Sequence, residues 1–220
     1  IKPKMYAALD LNAVSDDDYF EALSSRVSVA SKVNLLRAGS LHYYGADWWS
    51  ASALVQRYQT LSGDEPYRKL PELRLNANRA GMAGGTTWAL ESQYTDFEHP
   101  EKTRYVNGSR LVLYPQVSLP IERSGYFIIP KLGLHYTKYR LDDPYIAGGR
   151  TSITRSVPIF SIDSGLIFER ETSLFGNAYQ QTLEPRVFYV KAPDRKQDDI
   201  PVFDTARYDF SFAQMFSESA

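Results

Sequence analysis

Residues Tyr179 to Val190 read YQQTLEPRVFYV, and the two interleaved rows of this stretch suit different solvents. Tyr179, Gln181, Leu183, Pro185, Val187 and Tyr189 form one row, while Gln180, Thr182, Glu184, Arg186 and Phe188 form the other. Successive side chains of a strand point to opposite faces, so this is an extended segment with one apolar and one ionic face. The pattern returns at Leu111, Leu113, Pro115, Val117, Leu119 and Ile121, interleaved with Val112, Tyr114, Gln116, Ser118 and Pro120. Long alternating strands that end in aromatics are the signature of an outer-membrane β-barrel, although a soluble sandwich also alternates.

Composition narrows the choice. The 220 residues suffice for one large β domain or part of a bigger one. With 25 basic and 26 acidic residues the net charge is −1, which gives no electrostatic reason to bind nucleic acid. Aromatics make up 14% of the chain, led by 16 Tyr, whose apolar ring and wet hydroxyl suit a membrane interface as well as an ordinary Tyr-rich β protein. The absence of cysteine excludes a thiolate nucleophile, a Cys-based zinc site and a disulfide within this segment. The longest apolar run, Met5 to Leu9, is far short of the ~20 residues of a membrane helix. A spanning structure therefore has to be a barrel. The opening IKPKMYAALD has no signal-peptide core and the end FAQMFSESA is abrupt, so we expect an internal piece of a longer polypeptide.

The chain reads as a meander of about ten antiparallel strands without a convincing helix. The expected strands are Lys4–Val14, Ser31–Tyr44, Trp48–Gln59, Leu70–Arg79, Thr86–Phe97, Arg110–Ile121, Tyr126–Tyr139, Ile153–Arg170, Tyr179–Val190 and Phe203–Phe216. Several exceed the ~9–11 residues that cross a bilayer, whereas soluble domains favour ~5–6. Short connections (Gly45–Asp47, Met82–Gly85, Glu122–Gly125) alternate with longer polar ones (Gly63–Lys69, Glu98–Asn107, Asp142–Thr151, Ala192–Pro201). The loop VKAPDRKQDDIPVF (Val190–Phe203) carries six charges and should lie in water. Prolines 115, 120, 130, 158 and 185 fall inside strand patterns, where they imply misplaced strand ends or bulges.

No constellation carries chemistry. His42, His99 and His135 lack ligand spacing, and Asp16–Asp18 in VSDDDYF lack the rest of a calcium loop. GMAGGTT is a hairpin turn rather than a phosphate loop, and no GxSxG elbow surrounds a serine. We expect no enzyme activity, no metal and no cofactor. What remains is a polar barrel interior. With the apolar rows facing lipid, Gln116, Arg155, Ser161, Asp163, Glu169, Gln180, Thr182, Glu184 and Arg186 face the lumen, where they pair among themselves or meet a plug or cargo.

A set of motifs in order adds a resemblance. VSDDDYF (Val14–Phe20), LVQRYQTL (Leu54–Leu61), PYRKLPEL (Pro66–Leu73), LYPQVSLP (Leu113–Pro120), PKLGLHYT (Pro130–Thr137), FSIDSGLIFERE (Phe160–Glu171), QTLEPRVFYV (Gln181–Val190) and DDIPVF (Asp198–Phe203) together resemble the lipopolysaccharide-assembly family LptD over nearly the whole chain. The combination is specific, where each heptamer alone is weak. The resemblance implies a wide, non-enzymatic transmembrane β-barrel in the outer membrane of a Gram-negative bacterium, which places lipopolysaccharide in the outer leaflet. It further implies an LptE-like plug lipoprotein, an LptA-like periplasmic bridge protein, lipopolysaccharide and outer-membrane lipid as partners. Residues 1–220 would be the central part of one barrel domain, without the N-terminal jellyroll and the terminal gate strands. The alternative is an outer-membrane porin or substrate-specific transporter barrel, which needs a constriction loop or plug domain of its own. A barrel lipase or deacylase would need a Ser–His pair at His42 or His135.

Overall fold

The structure, a computed structural model, describes residues 4–15, 34–146, 148–195, 198–204 and 218. The described residues are all β, with no α-helix and one short 3₁₀ turn at Ala83–Gly85. The first strands are β1 (Met5–Leu11), β2 (Asn34–Gly45), β3 (Trp49–Thr60), β4 (Arg68–Arg79), β5 (Thr87–Glu98) and β6 (Gly108–Ser118). After them come β7 (Ile121–Arg123), β8 (Tyr126–Leu141), β9 (Ser152–Leu166), β10 (Phe168–Leu174), β11 (Asn177–Leu183) and β12 (Arg186–Lys191). Each strand pairs antiparallel with its neighbour in a ten-stranded sheet ordered β1-β2-β3-β4-β5-β6-β8-β9-β12, with β7 extending β6 along β8. Among the described residues the sheet is open, with β1 and β12 at its edges. The expected strand beginning at Phe203 and the Asp16–Asp18 turn lie outside the described residues, apart from Phe203 and Asp204, which form a bend.

Antiparallel order puts the short connections at one end and the long ones at the other. Ala46–Trp48, the Met82–Thr86 turn and Ser124–Gly125 mark the turn end; the connections after β3, β5, β8 and β12 mark the loop end. At the turn end Gly84 and Gly85 take φ of 71° and 80°, left-handed values that an L side chain adopts only under strain.

Two expected strands are interrupted, and proline is the reason. Ile153–Arg170 and Tyr179–Val190 each read as one strand, but the pairing breaks at Ile167 opposite Glu184–Pro185. Pro185 has no N–H to donate, and its carbonyl accepts from the Leu166 amide at 3.0 Å. The register does not change across the break: Gly165 faces Arg186 before it and Phe168 faces Leu183 after it. Pro120 does the same between β6 and β7, where Ser118 faces Lys131 and Ile121 faces Ile128. These prolines therefore interrupt ladders without adding a residue. Beyond the Pro185 break β10 and β11 pair, among the described residues, only with each other, as a ribbon past the last β8 partner of β9, Tyr126.

A true bulge sits elsewhere. Gln56 faces Lys69 while Leu54 faces Glu72, so β4 holds one extra residue at Leu70–Pro71. The same shift recurs against β5, where Lys69 faces Phe97 and Glu72 faces Thr95. The extra residue reverses the alternation and puts Lys69 and Glu72 on one face, which a regular strand would forbid.

Register then assigns every side chain to one of two faces. Leu73 with Tyr94, Ala77 with Leu90, Trp88 with Val117, and Leu132 with Phe160 share an apolar face. Arg74 with Gln93, Glu91 with Tyr114, and Lys131 with Ser161 share the polar one. Large apolar residues stay open to solvent on the first face, Leu132 being 54% and Trp88 57% exposed. The packed core lies on the second face, at the loop end, where Phe97, Tyr139, Leu141, Ile153 and Phe203 bury one another.

That core corrects the reading of Val190–Phe203 as a solvated loop. Residues 192–195 are exposed, but the chain then returns and buries Pro201 and Phe203. Phe203 stacks on Phe97 at 4.4 Å between centroids and meets Tyr67 edge-on at 5.0 Å. Charge in this loop is confined to one part of it; the apolar Ile200–Phe203 portion follows the hydrophobic effect instead.

Candidate functional site

The polar face holds a cavity of about 750 Å³. Its walls come from the middle of four strands, which present Glu91, Tyr114, Gln116, Lys131, His135, Arg155, Ser161 and Asp163 to the same space. Because the strands are in register, alternate residues of each converge on it. Gln116 donates to Glu91 at 3.1 Å and accepts from Lys131 at 3.2 Å. Lys131 also meets the Glu218 carboxylate at 2.9 Å. Tyr114 donates to the same carboxylate at 2.6 Å, and Ser161 donates to its other oxygen.

Tyr114 reaches that far because Gly133 leaves room for it. A Cβ on Gly133 would come within 2.5 Å of the Tyr114 ring, which lies across β8 where any side chain would stand. Arg155 stands apart from this network. Its Nε is buried without a hydrogen-bond partner among the described residues, although its side chain lines the cavity. A lining with hydroxyls, amides and cations fits oxyanions and sugar hydroxyls.

A second cluster lies at the loop end. The bulge at Leu70–Pro71 lets Lys69 reach Glu72 at 3.0 Å and Asp204 at 3.1 Å. Arg74 meets Glu72 at 2.8 Å, and Arg110 meets Asp204 at 2.7 Å while its guanidinium carbon lies 5.0 Å from the Phe97 ring centroid. Burial raises the Asp204 carboxyl, but Arg110 and then Lys69 more than offset it, so it stays below the usual aspartate range. These contacts clamp the returning segment onto the sheet. A further cavity at the turn end, bounded by Tyr6, Tyr44, Trp48, Asn76, Asn78 and Glu91, continues the polar face.

The residues singled out from sequence divide between two places. Gln116, Arg155 and Asp163 line the cavity, and Arg186 forks onto Asp163 through bonds of 2.8 and 2.5 Å. Glu169, Gln180 and Thr182 belong to the β10–β11 ribbon, where Glu169 faces Thr182 and accepts from Gln180 at 3.1 Å. Glu184 sits in the break between β11 and β12. Ser161, expected on the same face as Arg155 and Asp163, lines the cavity with them, and His135 joins it too; Tyr114 and Lys131 were not expected there, though the even row containing Gln116 already places Tyr114 beside it. That Lys131 stands directly opposite Ser161 needs the β8–β9 register, which no local pattern supplies. Of the histidines, His42 stacks on Tyr6 at 4.6 Å, and His99 is buried with its Nε2 2.8 Å from the Glu65 carbonyl. Among the described residues no group of three His, Cys, Asp or Glu could hold a metal ion.

Fold and site together define a class: a long-stranded antiparallel wall with a polar, cavity-bearing face and an apolar face left open. The chain belongs to the family described as LptD, LPS transport system D, whose model matches residues 1–220. It is 63% identical over 219 residues to the LPS-assembly protein LptD of Aromatoleum aromaticum, covering 100% of this chain and 28% of the relative. The protein of the same name in an Azoarcus species is 55% identical over 228 residues, covering 100% of this chain and 28% of the relative. That of Nitrosospira multiformis is 46% identical over 224 residues, covering 97% and 24%. The chain thus spans about a quarter of the length of these relatives.

Proposed function

We propose that this chain is part of the wall of an outer-membrane β-barrel that assembles lipopolysaccharide into the outer leaflet, without catalysing a reaction. The observation that carries this reading is the segregation of the two faces. An apolar face with Leu132, Trp88 and Val187 more than half exposed has no core to cover in this sheet, which is what a lipid-facing surface requires. The opposite face is polar and hollow, which suits the lumen of a wide barrel. An amphiphile with a phosphorylated sugar head needs a hydrophilic route for the head and an apolar route for its acyl chains. A wall with these two faces bounds the first.

In this reading residues 1–220 lie within one barrel domain, and the open edges at β1 and β12 are continued by neighbouring strands. Gln116, Arg155, Asp163 and Arg186 face the lumen, and Glu169, Gln180, Thr182 and Glu184 continue the same row towards and past the turn-end rim. An LptE-like plug lipoprotein is the partner expected against the polar face. An LptA-like bridge protein delivers the cargo through parts of the protein other than this segment. Photo-crosslinkers at Gln116 and Arg186 of the full-length protein should capture lipopolysaccharide or the plug in cells, while those at Leu132 and Val187 should capture neither. Equal capture from both faces removes the basis for a lumenal surface.

A further inference from the structure

The Glu218 carboxylate is held as a bound anion is held. Both of its oxygens are used: one by Tyr114 at 2.6 Å and Lys131 at 2.9 Å, the other by Ser161. The three donors come from β6, β8 and β9, and Lys131 and Ser161 are direct cross-strand partners, so the sheet itself fixes their spacing. Glu218 lies 57 residues from Ser161 in the chain and belongs to none of the strands that hold it. Arg155, in the same cavity, keeps its buried Nε without a hydrogen-bond partner among the described residues. The wall therefore offers two hydroxyls, an ammonium and a guanidinium around a space that one carboxylate does not exhaust. Such a donor set matches a phosphate monoester, which has one more acceptor oxygen and more negative charge than a carboxylate.

We propose that Tyr114, Lys131 and Ser161 form an oxyanion site on the polar face, that Glu218 fills it as an internal ligand, and that a phosphate monoester displaces Glu218 and adds Arg155 as a fourth donor. The choice of a sugar-borne phosphate rests on the proposed passage of a phosphorylated amphiphile; the oxyanion site does not. Gly133 is part of the site, because only a residue without a Cβ lets the Tyr114 ring lie across β8.

The test is a calorimetric titration of the purified full-length protein with inorganic phosphate and with glucosamine 1-phosphate. Removing an internal competitor raises apparent affinity by the reciprocal of the fraction of time the site stood open. Glu218→Gln and Glu218→Ala should therefore each bind phosphate about tenfold tighter than the parent protein. Adding Lys131→Met to Glu218→Gln should abolish the gain, while heat-modifiable gel migration confirms that each variant is folded. Tighter binding of glucosamine 1-phosphate assigns the phosphate to a sugar head, equal binding assigns it to free phosphate, and both uphold the site. Unchanged affinity in both Glu218 variants, or a gain that survives Lys131→Met, overturns it. Surface assembly of lipopolysaccharide, assayed in cells by outer-membrane permeability, tests the wider reading separately.

Discussion

The loop end of the sheet and the β10–β11 ribbon are built from the same kind of alternating sequence, yet one is packed and the other bare. At the loop end Phe97 is fully buried and Phe203 is 8% exposed, because a segment some hundred residues later folds back over the strands. In the ribbon Phe168 is 53% and Leu183 65% exposed, since among the described residues the two strands have only each other. Alternation fixes which way a side chain points; what covers it is decided by the topology. Three surfaces follow: a polar face covered at the loop end by its own chain, an open apolar face, and a ribbon with neither.

The largest effect should come from breaking the outer face. Leu132→Arg, in the middle of β8, should cost about 2–4 kcal/mol of stability in a bilayer, the penalty for a cation near the midplane. Leu183→Arg, on the ribbon, should cost under about 1 kcal/mol, as expected near or beyond an interface. Urea unfolding of the full-length protein in lipid vesicles measures both, and equal penalties would erase the distinction between wall and ribbon.

Phe203→Ala probes the covered region. Truncating a buried phenylalanine in a rigid core costs about 3–5 kcal/mol, and we expect about 2 kcal/mol here because the returning segment that carries Phe203 can settle into the space left. The loss should appear as faster hydrogen exchange around residues 198–204, with the central strands unchanged. Tyr179→Ala on the ribbon should stay within about 0.5 kcal/mol, the range of ordinary surface substitutions.

Much of this was legible and some was not, for identifiable reasons. The rows Leu111–Leu119 and Val112–Ser118 predicted their faces because period-two alternation is local. Residues 179–190 gave the alternation but the wrong element, since Pro185 interrupts a ladder whose register then continues unchanged. The bulge at Leu70–Pro71 has no pattern of its own, yet it alone brings Lys69 and Glu72 together. Asp204 and Glu218 reach the polar face through contacts 94 and 104 residues distant in sequence, from Arg110 and Tyr114, which composition cannot foresee.

The smallest effect concerns pH. Asp204 is held below the ordinary aspartate value, so its stabilising contribution is present above an unfolded value of about 3.9 and is lost as pH falls through the lower folded one. Hydrogen exchange at residues 198–204 should thus be protected near neutrality and lose protection only below about pH 4. Asp204→Asn should remove that acid dependence, weakening docking near neutrality and matching the parent protein in acid.

The central claim is that one face of this sheet meets lipid and the other a polar interior. Its most direct test places a nitroxide, attached through a genetically encoded amino acid, in turn at Lys131, Leu132, Leu134 and His135 of the full-length protein in lipid vesicles. The account predicts that Leu132 and Leu134 are reached by dissolved oxygen and shielded from a water-soluble nickel complex, while Lys131 and His135 show the reverse. Loss of this alternation, or nickel access at Leu132 and Leu134, would contradict it.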